Sequence, residues 1–151
     1  MSMEIVPVDE KNLADAAFVH AESWRGSHRE ICSPEFVAAH TTQRQTEYLR
    51  GELTQGKQLF LLRDPEPVGV VSVWGDLIEN LYVRPERQGL GYGTALLEFA
   101  VSRCREPQLW ILSSNEKARR FYEARGFRLT GREKRLSDTL RELEMEQENS
   151  M

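Results

Sequence analysis

A short glycine-rich segment is the part of this chain best suited to chemistry. It runs from Gln88 to Thr94, after an apolar run that ends at Pro85 and before a stretch with helical spacing. Glycines let backbone N–H groups approach a ligand closely, and the start of a helix adds unsatisfied donors and a positive dipole end. The segment therefore predicts a cradle for an anion, and a diphosphate fits it.

The glycine spacing excludes two common nucleotide-binding loops. A Walker A loop needs Gly-Lys followed by Ser or Thr, but Gly56-Lys57 is followed by Gln58. A dinucleotide-binding loop needs a glycine or alanine three residues after Gly91, where Thr94 stands. The ligand of the cradle is therefore not a typical mononucleotide or dinucleotide.

A second pattern of polar and aromatic residues begins at Asn115. Asn115 and Tyr122 are seven residues apart, which puts them on one face of a helix. Asn115 is a good helix N-cap residue, and Gly126 suits the left-handed position after a helix end. We interpret Phe121 as a core residue, and Tyr122 as either a buried, hydrogen-bonded tyrosine or a proton donor.

Taken in this order, the two patterns resemble the GNAT superfamily of N-acetyltransferases. The run from Gln88 to Gly93 resembles the family's Q/R-x-x-G-x-G/A motif. The run from Asn115 to Phe127, written Asn-x-x-Ala-x-x-Phe-Tyr-x-x-x-Gly-Phe, resembles its second cofactor-contacting helix. The resemblance covers roughly residues 77 to 129, and the N-terminal third matches only in its coarse order of helices and strand. It implies acetyl-CoA as co-substrate and no metal.

The resemblance also implies which residues hold the cofactor. Backbone N–H groups of the glycine-rich turn would bind the pyrophosphate, the preceding strand would lie beside the pantetheine arm, and Asn115 would contact the arm unless it serves only as a cap. The cofactor-binding residues implied are Leu81, Tyr82, Val83, Gln88, Gly89, Leu90, Gly91, Tyr92, Gly93, Thr94, Asn115 and Tyr122.

The implied reaction is direct attack of an amine on the thioester, and it needs three groups. The N–H of Val83 is the best candidate to stabilise the carbonyl oxygen. Tyr122 resembles the family's general acid, which would protonate the leaving thiolate. Glu79 is the candidate base, because unbroken alternation along its strand puts it on one face with Leu81 and Val83. A solvated strand glutamate is the alternative. Glu22 and Asp76 are poorer candidates, and Cys104 lacks a nearby histidine for a covalent route.

The acceptor is harder to predict from the sequence. Trp24, Arg25, His28 and Arg29 cluster between the first two predicted helices, a region that commonly forms a wall of the acceptor site in the family. A surface loop around a packed tryptophan is the alternative. Two arginines could bind a carboxylate, which favours a small amine or amino-acid-like acceptor. The alternatives are a protein or peptide N-terminus, and a CoA-binding module without catalysis.

The composition sets limits on partners and location. The net charge of −4 argues against nucleic acid as a main partner, because phosphate binding needs a basic surface. Two cysteines, Cys32 and Cys104, are too few for a disulfide framework, and the three histidines form no metal-binding pattern. No apolar run approaches the roughly 20 residues that span a bilayer, and no signal peptide is visible. We therefore expect a cytoplasmic protein that does not bind membranes. A homodimer is compatible with the family.

These residues must be positioned by one domain spanning 1–151. The patterns predict an α/β (α+β) fold with a mixed, mostly antiparallel sheet of six or seven strands flanked by about four helices. The predicted strands are Ile5–Val8, Gln58–Leu62, Val68–Trp74, Leu77–Val83, Leu109–Leu112, Phe127–Leu129 and Thr139–Met145. The predicted helices begin near Asp9, at Ser33-Pro34 (ending at Gly51), after Gly93 and at Asn115.

Overall fold

The computed structural model describes residues 3–28, 33–39 and 41–148. Within them the strands are β1 Glu4–Pro7, β2 Gln58–Arg63, β3 Pro67–Trp74, β4 Leu77–Val83, β5 Gln108–Leu112, β6 Phe127–Arg135 and β7 Arg141–Gln147. The helices are α1 Leu13–His28, α2 Pro34–Ala38, α3 Thr42–Thr54, α4 Tyr92–Val101 and α5 Glu116–Glu123, with a 3₁₀ turn at Pro85–Arg87.

The strands form one sheet in the order β1-β2-β3-β4-β5-β7-β6. Neighbouring strands pair antiparallel, except β4 and β5, which pair parallel. The turn at Asp64–Pro67 and the tight turn at Gly75, whose φ is 63°, connect the central antiparallel strands. The predicted mixed, mostly antiparallel sheet is therefore confirmed.

The N-terminal helices differ from the prediction in two ways. The single helix expected from Ser33 to Gly51 is two helices, α2 and α3, each with its own N-cap: Ser33 accepts from the N–H of Phe36, and Thr41 accepts from that of Arg44. The sequence pattern missed the second cap. Gly51 lies inside α3, because glycine weakens a helix by only about 1 kcal/mol and tertiary packing outweighs that cost.

Two hydrophobic layers sandwich the sheet. Successive residues of β2 face opposite layers: Phe60 and Leu62 pack under α4, whereas Leu59 and Leu61 pack under α1 and α3. Each fully buried leucine contributes roughly 1.5–3 kcal/mol by leaving water. A continuous apolar strand is therefore covered on both faces. We call the two sides of the sheet the α4 face and the α1–α3 face.

Strand β4 contains a β-bulge that interrupts its alternation. Ser72 of β3 is opposite Glu79, but Val70 is opposite Tyr82, so β4 has one extra residue between these pairs. Asn80 adopts a φ of 52° there, a left-handed conformation that asparagine tolerates better than most residues. The bulge changes which β4 side chains share a face.

Beyond one shared pair, β4 and β5 separate. Leu77 is opposite Gln108, whose N–H also donates to the carbonyl of Asp76 at 2.8 Å. From there to Val83, β4 has no strand partner on its β5 side among the described residues. We call this opening the splay, and it exposes backbone donors and acceptors of β4 that a ligand could use.

Candidate active site

The glycine-rich turn presents unpaired N–H groups at the start of α4. Gly89 and Gly91 have φ of 80° and 91°, and Gly91 is the N-cap residue of α4. Among the described residues, no acceptor meets the backbone N–H groups of residues 89–94; the first helical bond runs from Ala95 to Gly91. A Cβ at Gly89 or Gly91 would meet open space. The turn therefore has the geometry of the predicted anion cradle.

Side chains hold the cradle against the strand before it and the helix after it. The Gln88 amide donates to the carbonyl of Val83 at 3.2 Å and accepts from Lys117 of α5 at 3.4 Å. The Tyr92 hydroxyl donates to Asp64 at 2.5 Å. Leu90 is exposed at the tip of the turn. The cradle is thus fixed relative to both β4 and α5.

Arg125 joins α4 to α5, a role that the sequence did not predict. Its guanidinium donates to the Thr94 hydroxyl at 2.7 and 3.1 Å and to the Phe121 carbonyl at 2.8 Å, and it stacks 3.8 Å from the Phe121 ring. A Cβ at Gly93 would lie 3.4 Å from the same ring. The four-residue spacing of Phe121 and Arg125 could have indicated that their side chains pack together. It does not indicate that Arg125 binds Thr94 of α4.

Helix α5 begins and ends as predicted. The Asn115 side chain accepts from the N–H of Ala118 at 3.0 Å, so Asn115 is the N-cap. Gly126 has a φ of 89° just after the helix end. The two caps fix the orientation of Tyr122, whose ring packs edge-on against Phe121 and Phe127 at 5.2 and 5.7 Å.

Tyr122 has the properties of a proton donor at the splay. Burial raises its pKa to about 12, so the phenol is neutral at physiological pH. Among the described residues, none forms a hydrogen bond with its hydroxyl. Burial first, and then the nearby Tyr122, raises the pKa of Tyr82 on β4. The two hydroxyl groups are therefore near enough to interact electrostatically.

The backbone of β4 alternates between β3 and the splay. The Arg84 N–H donates to Val68 of β3 at 2.9 Å, and Tyr82 is opposite Val70. In an antiparallel pair, alternate residues direct their N–H groups to one side, so those of Leu81 and Val83 point into the splay. The predicted donor for a carbonyl oxygen, the Val83 N–H, is therefore directed at the opening.

The predicted orientation of Glu79 is wrong. Leu81 and Val83 pack on the α4 face, whereas Glu79 accepts a hydrogen bond from Lys57 at 3.1 Å beside Glu52 of α3. The bulge at Asn80 breaks the alternation on which the prediction depended, so Glu79 lies on the α1–α3 face and not among apolar neighbours. Whether it acts as a base stays a prediction.

A polar pocket of about 250 Å³ lies on the α1–α3 face. It reaches the bulge, where the Asn80 amide oxygen accepts from the Nε2–H of His20 at 3.2 Å and the amide nitrogen donates to Ser72 at 3.3 Å. The pocket, which we call the α1–α3 pocket, is lined by His20, Trp24, Arg44, Gln45, Tyr48, Asn80 and Tyr82. Of these, sequence reasoning assigned only Trp24 to the acceptor, because nothing in the pattern marked His20 of the same helix and the others come from α3 and β4.

The other predicted acceptor residues that the structure describes, Arg25 and His28, do not line the pocket. Trp24, Arg25 and His28 belong to the last turns of α1 and not to an interhelical loop. His28 stacks on Trp24 with ring centres 4.0 Å apart, and Arg25 forms an ion pair with Glu22 at 3.4 Å. Arg29 lies outside the described residues.

Cys104 is a packed thiol. It donates to the carbonyl of Ala100 at 3.3 Å, and burial, followed by Asp76, raises its pKa. A raised pKa disfavours the nucleophilic thiolate, in agreement with the argument against a covalent route. Cys32 and His40 lie outside the described residues.

Two classes of feature are absent from the described ranges. No helix within 3–28, 33–39 and 41–148 is both long and apolar enough to cross a membrane. The same residues contain no group of three or more His, Cys, Asp or Glu side chains able to hold a metal ion.

Comparison with known proteins identifies the family. The profile of the acetyltransferase (GNAT) family matches residues 20–127. An uncharacterized N-acetyltransferase from Archaeoglobus fulgidus is 32% identical over 145 positions, covering 83% of this chain and 93% of that one. The peptidyl-lysine N-acetyltransferase YjaB of Escherichia coli is 36% identical over 67 residues, covering 44% of this chain and 46% of YjaB.

A solved structure agrees with the fold. The PaiA N-acetyltransferase of Thermoplasma acidophilum, in complex with coenzyme A, is 21% identical and superimposes with a TM-score of 0.76 over 99% of this chain and 100% of that one. The glycine-rich cradle and the α5 helix both lie in the region that matches the family. The chain therefore belongs to the GNAT acetyltransferase family and is an acetyl-CoA-dependent acyltransferase.

Proposed function

We propose that this enzyme acetylates the primary amine of a small molecule by direct attack within a ternary complex. The observation that carries the proposal is the meeting of two openings at the β4 bulge. The splay leads to Val83 and Tyr122, and the α1–α3 pocket leads to Asn80 and Tyr82 from the other side. Two ligands could reach the same stretch of strand together, as direct transfer requires.

The residues present fit coenzyme A. A pyrophosphate would accept from the N–H groups of the cradle, residues 89–94, where open space at both strained glycines admits it. The free edge of β4 offers N–H groups at Leu81 and Val83 to the amide-rich arm. Asn115 would contact the arm through its amide nitrogen, since its amide oxygen caps α5.

Three groups of the chain would then serve the transfer. When bound, acetyl-CoA supplies an activated acetyl thioester that a neutral amine attacks with loss of the CoA thiolate. The Val83 N–H donates to the carbonyl oxygen as negative charge develops on it. The Tyr122 phenol holds the proton that the departing sulfur takes. Glu79, at the edge of the α1–α3 pocket, accepts the proton of the amine, directly or through water.

The size of the α1–α3 pocket supports a small acceptor. Pockets for drug-sized ligands measure about 300–1,000 Å³, and this one is slightly below that range at about 250 Å³. A peptide acceptor is the second candidate, because the relative YjaB is named a peptidyl-lysine N-acetyltransferase. A peptide would have to insert only its amine-bearing side chain or its N-terminus.

A thiol-release assay with acetyl-CoA distinguishes these acceptors. The panel contains alkylamines, polyamines, amino acids, a lysine-containing peptide and a peptide with a free N-terminus, and mass spectrometry identifies each acetylated product. We expect the highest kcat/KM with a small amine. Transfer confined to the peptides would contradict the proposal. Calorimetry with acetyl-CoA, ATP and NAD is the control for the cofactor, and only acetyl-CoA should bind.

A further inference from the structure

The charges around the α1–α3 pocket are separated along α3. Arg44, Tyr48 and Glu52 are spaced four residues apart, so they follow one face of the helix over about 12 Å. At one end, Lys57 bridges Glu52 and Glu79 at 3.0 and 3.1 Å, a group of two carboxylates and one ammonium with one net negative charge. The Arg44 guanidinium lies at the other end of this helix face.

Within the described ranges, Arg44 has no side-chain partner that would explain its position. Among the described residues, its side chain forms no ion pair and no hydrogen bond; only its backbone N–H is used, by the Thr41 cap. It lies in the first turn of α3, which contains no acidic residue. The dipole of a helix disfavours a cation there and favours an anion. The helix itself therefore gains nothing from this arginine, but an anionic ligand at the pocket would.

The opposite end of the pocket suits an amine. Tyr48 donates to Glu52 at 3.2 Å at this end. Asn80 and Tyr82 line the same pocket at the bulge, where the thioester would lie. The net negative charge of the carboxylate group attracts an ammonium before it loses its proton, and the aromatic walls of Trp24 and Tyr82 also favour cations. The two ends of the pocket therefore suit the two ends of a zwitterion.

We propose that the acceptor carries a carboxylate as well as its amine, in the manner of a free amino acid, and that Arg44 binds that carboxylate. The inference rests on the proposed transfer to a small amine and names its class. The sequence suggested Arg25 as a carboxylate-binding residue, but Arg25 is paired with Glu22. Arg44 takes that role in the present proposal. A peptidyl lysine or a protein N-terminus offers no carboxylate at this distance from its amine.

The experiment compares acceptors that differ only in the carboxylate. L-leucine is set against L-leucinamide and isoamylamine, and β-alanine against ethylamine, with a lysine peptide as a further acceptor. Initial rates of thiol release give kcat/KM, and calorimetry of each acceptor with the CoA-loaded protein gives Kd independently of turnover. We expect the carboxylate-bearing member of at least one set to be preferred.

Arg44→Gln should reduce that preference roughly 10- to 100-fold, since a hydrogen bond to a charged group contributes that much to binding. Arg44→Lys should retain part of it, because lysine keeps the charge and loses the two-pronged geometry. Arg50→Gln is the matched control: Arg50 is an exposed arginine on the same helix, paired with Glu10 away from the pocket. It should leave the preference unchanged.

Several results would overturn the inference while leaving the proposed function intact. These are equal kcat/KM for the carboxylate-bearing and carboxylate-free members of both sets, a carboxylate preference that Arg44→Gln does not alter, or tightest binding of the lysine peptide. Failure of the proposed function is distinct: no transfer to any acceptor although acetyl-CoA binds. In that case calorimetry still decides, because L-leucine binding that is lost in Arg44→Gln and kept in Arg50→Gln supports the carboxylate site, and no binding at all contradicts it.

Discussion

Tyr122 is the side chain on which the proposed chemistry depends most directly. It is held by the rings of Phe121 and Phe127, and its hydroxyl has no hydrogen-bond partner among the described residues. Such a hydroxyl stabilises the fold little, so its removal tests chemistry more than stability. Burial raises its pKa to about 12, which keeps the proton available to a leaving thiolate.

We expect Tyr122→Phe to lower kcat by about 10²- to 10⁴-fold, the usual contribution of a positioned acid. The Kd for acetyl-CoA and the melting temperature should stay near those of the parent protein, because the ring and its packing remain. Stopped thiol-release assays at saturating substrate measure kcat, and calorimetry measures Kd. An unchanged kcat would remove Tyr122 from the mechanism.

The pH profile gives a second test at this residue. The Tyr122 pKa is raised from its ordinary value to about 12. The phenol therefore keeps its proton at lower pH and loses it only above about pH 12. A simple alkylamine becomes a better nucleophile as the pH rises towards its own pKa of about 10. We therefore expect kcat/KM to rise from about pH 7 to about pH 10 without a falling limb. A decline below about pH 9 would indicate a different acid.

At the scale of elements, two irregularities in otherwise regular structure create the site. The bulge at Asn80 turns Glu79 and Tyr82 to the α1–α3 face, and the separation of β4 from β5 exposes the Val83 N–H. The left-handed glycines then turn the chain from strand to helix so that free N–H groups converge. Each irregularity lies at one of the proposed ligand sites.

Gly91→Glu tests the cradle. We expect it to abolish acetyl-CoA binding, because a glutamate brings bulk and negative charge to the position of the pyrophosphate. A non-glycine residue at positive φ also costs about 1–2 kcal/mol, so a control for strain is needed. Gly131→Glu supplies it, since Gly131 has a φ of 95° and equally open surroundings on the edge strand β6.

Calorimetry on both variants, with melting temperatures, separates the two effects. The two variants should lose similar stability, but only Gly91→Glu should lose affinity. Normal acetyl-CoA affinity in folded Gly91→Glu would locate the pyrophosphate elsewhere.

At the scale of the whole molecule, a buried ion network ties α3 to the sheet. Lys57 and Glu52 are only 10% and 7% exposed, and Glu79 completes the group from β4. Burial by itself lowers the pKa of Lys57, but the hydrogen bonds that Lys57 donates to Glu52 and Glu79 outweigh it and raise the pKa overall. The network therefore holds the wall of the α1–α3 pocket against the strand that carries the chemistry.

Lys57→Met should destabilise the protein by about 3–5 kcal/mol, because it leaves two carboxylates without their counter-ion, one of them buried. Arg128→Met is the matched control, since Arg128 pairs with Glu148 at 71% and 64% exposure. An exposed pair of this kind is worth less than about 1 kcal/mol. Denaturant unfolding of both variants measures the difference. Equal midpoints would mean that the buried network adds no stability.

Local sequence determined most of the elements and the cofactor side of the site. The Gln88–Thr94 turn, the cap at Asn115 and the strand–helix order depend on neighbours within a few residues, so the pattern predicted them. Two larger features differed from the prediction: the Ser33–Gly51 helix is divided at the Thr41 cap, and β6 extends to Arg135 where the pattern ended it at Leu129.

The acceptor side was decided by the tertiary structure. The α1–α3 pocket brings together His20, Arg44 and Asn80, which are far apart in the chain and show no mutual spacing. The bulge that reversed the expected face of Glu79 arises from strand pairing with β3, which no local pattern encodes. The sequence by itself therefore determined the family and the cofactor, and only the packing of α1 and α3 on the bulged strand determined which side chains line the proposed acceptor pocket.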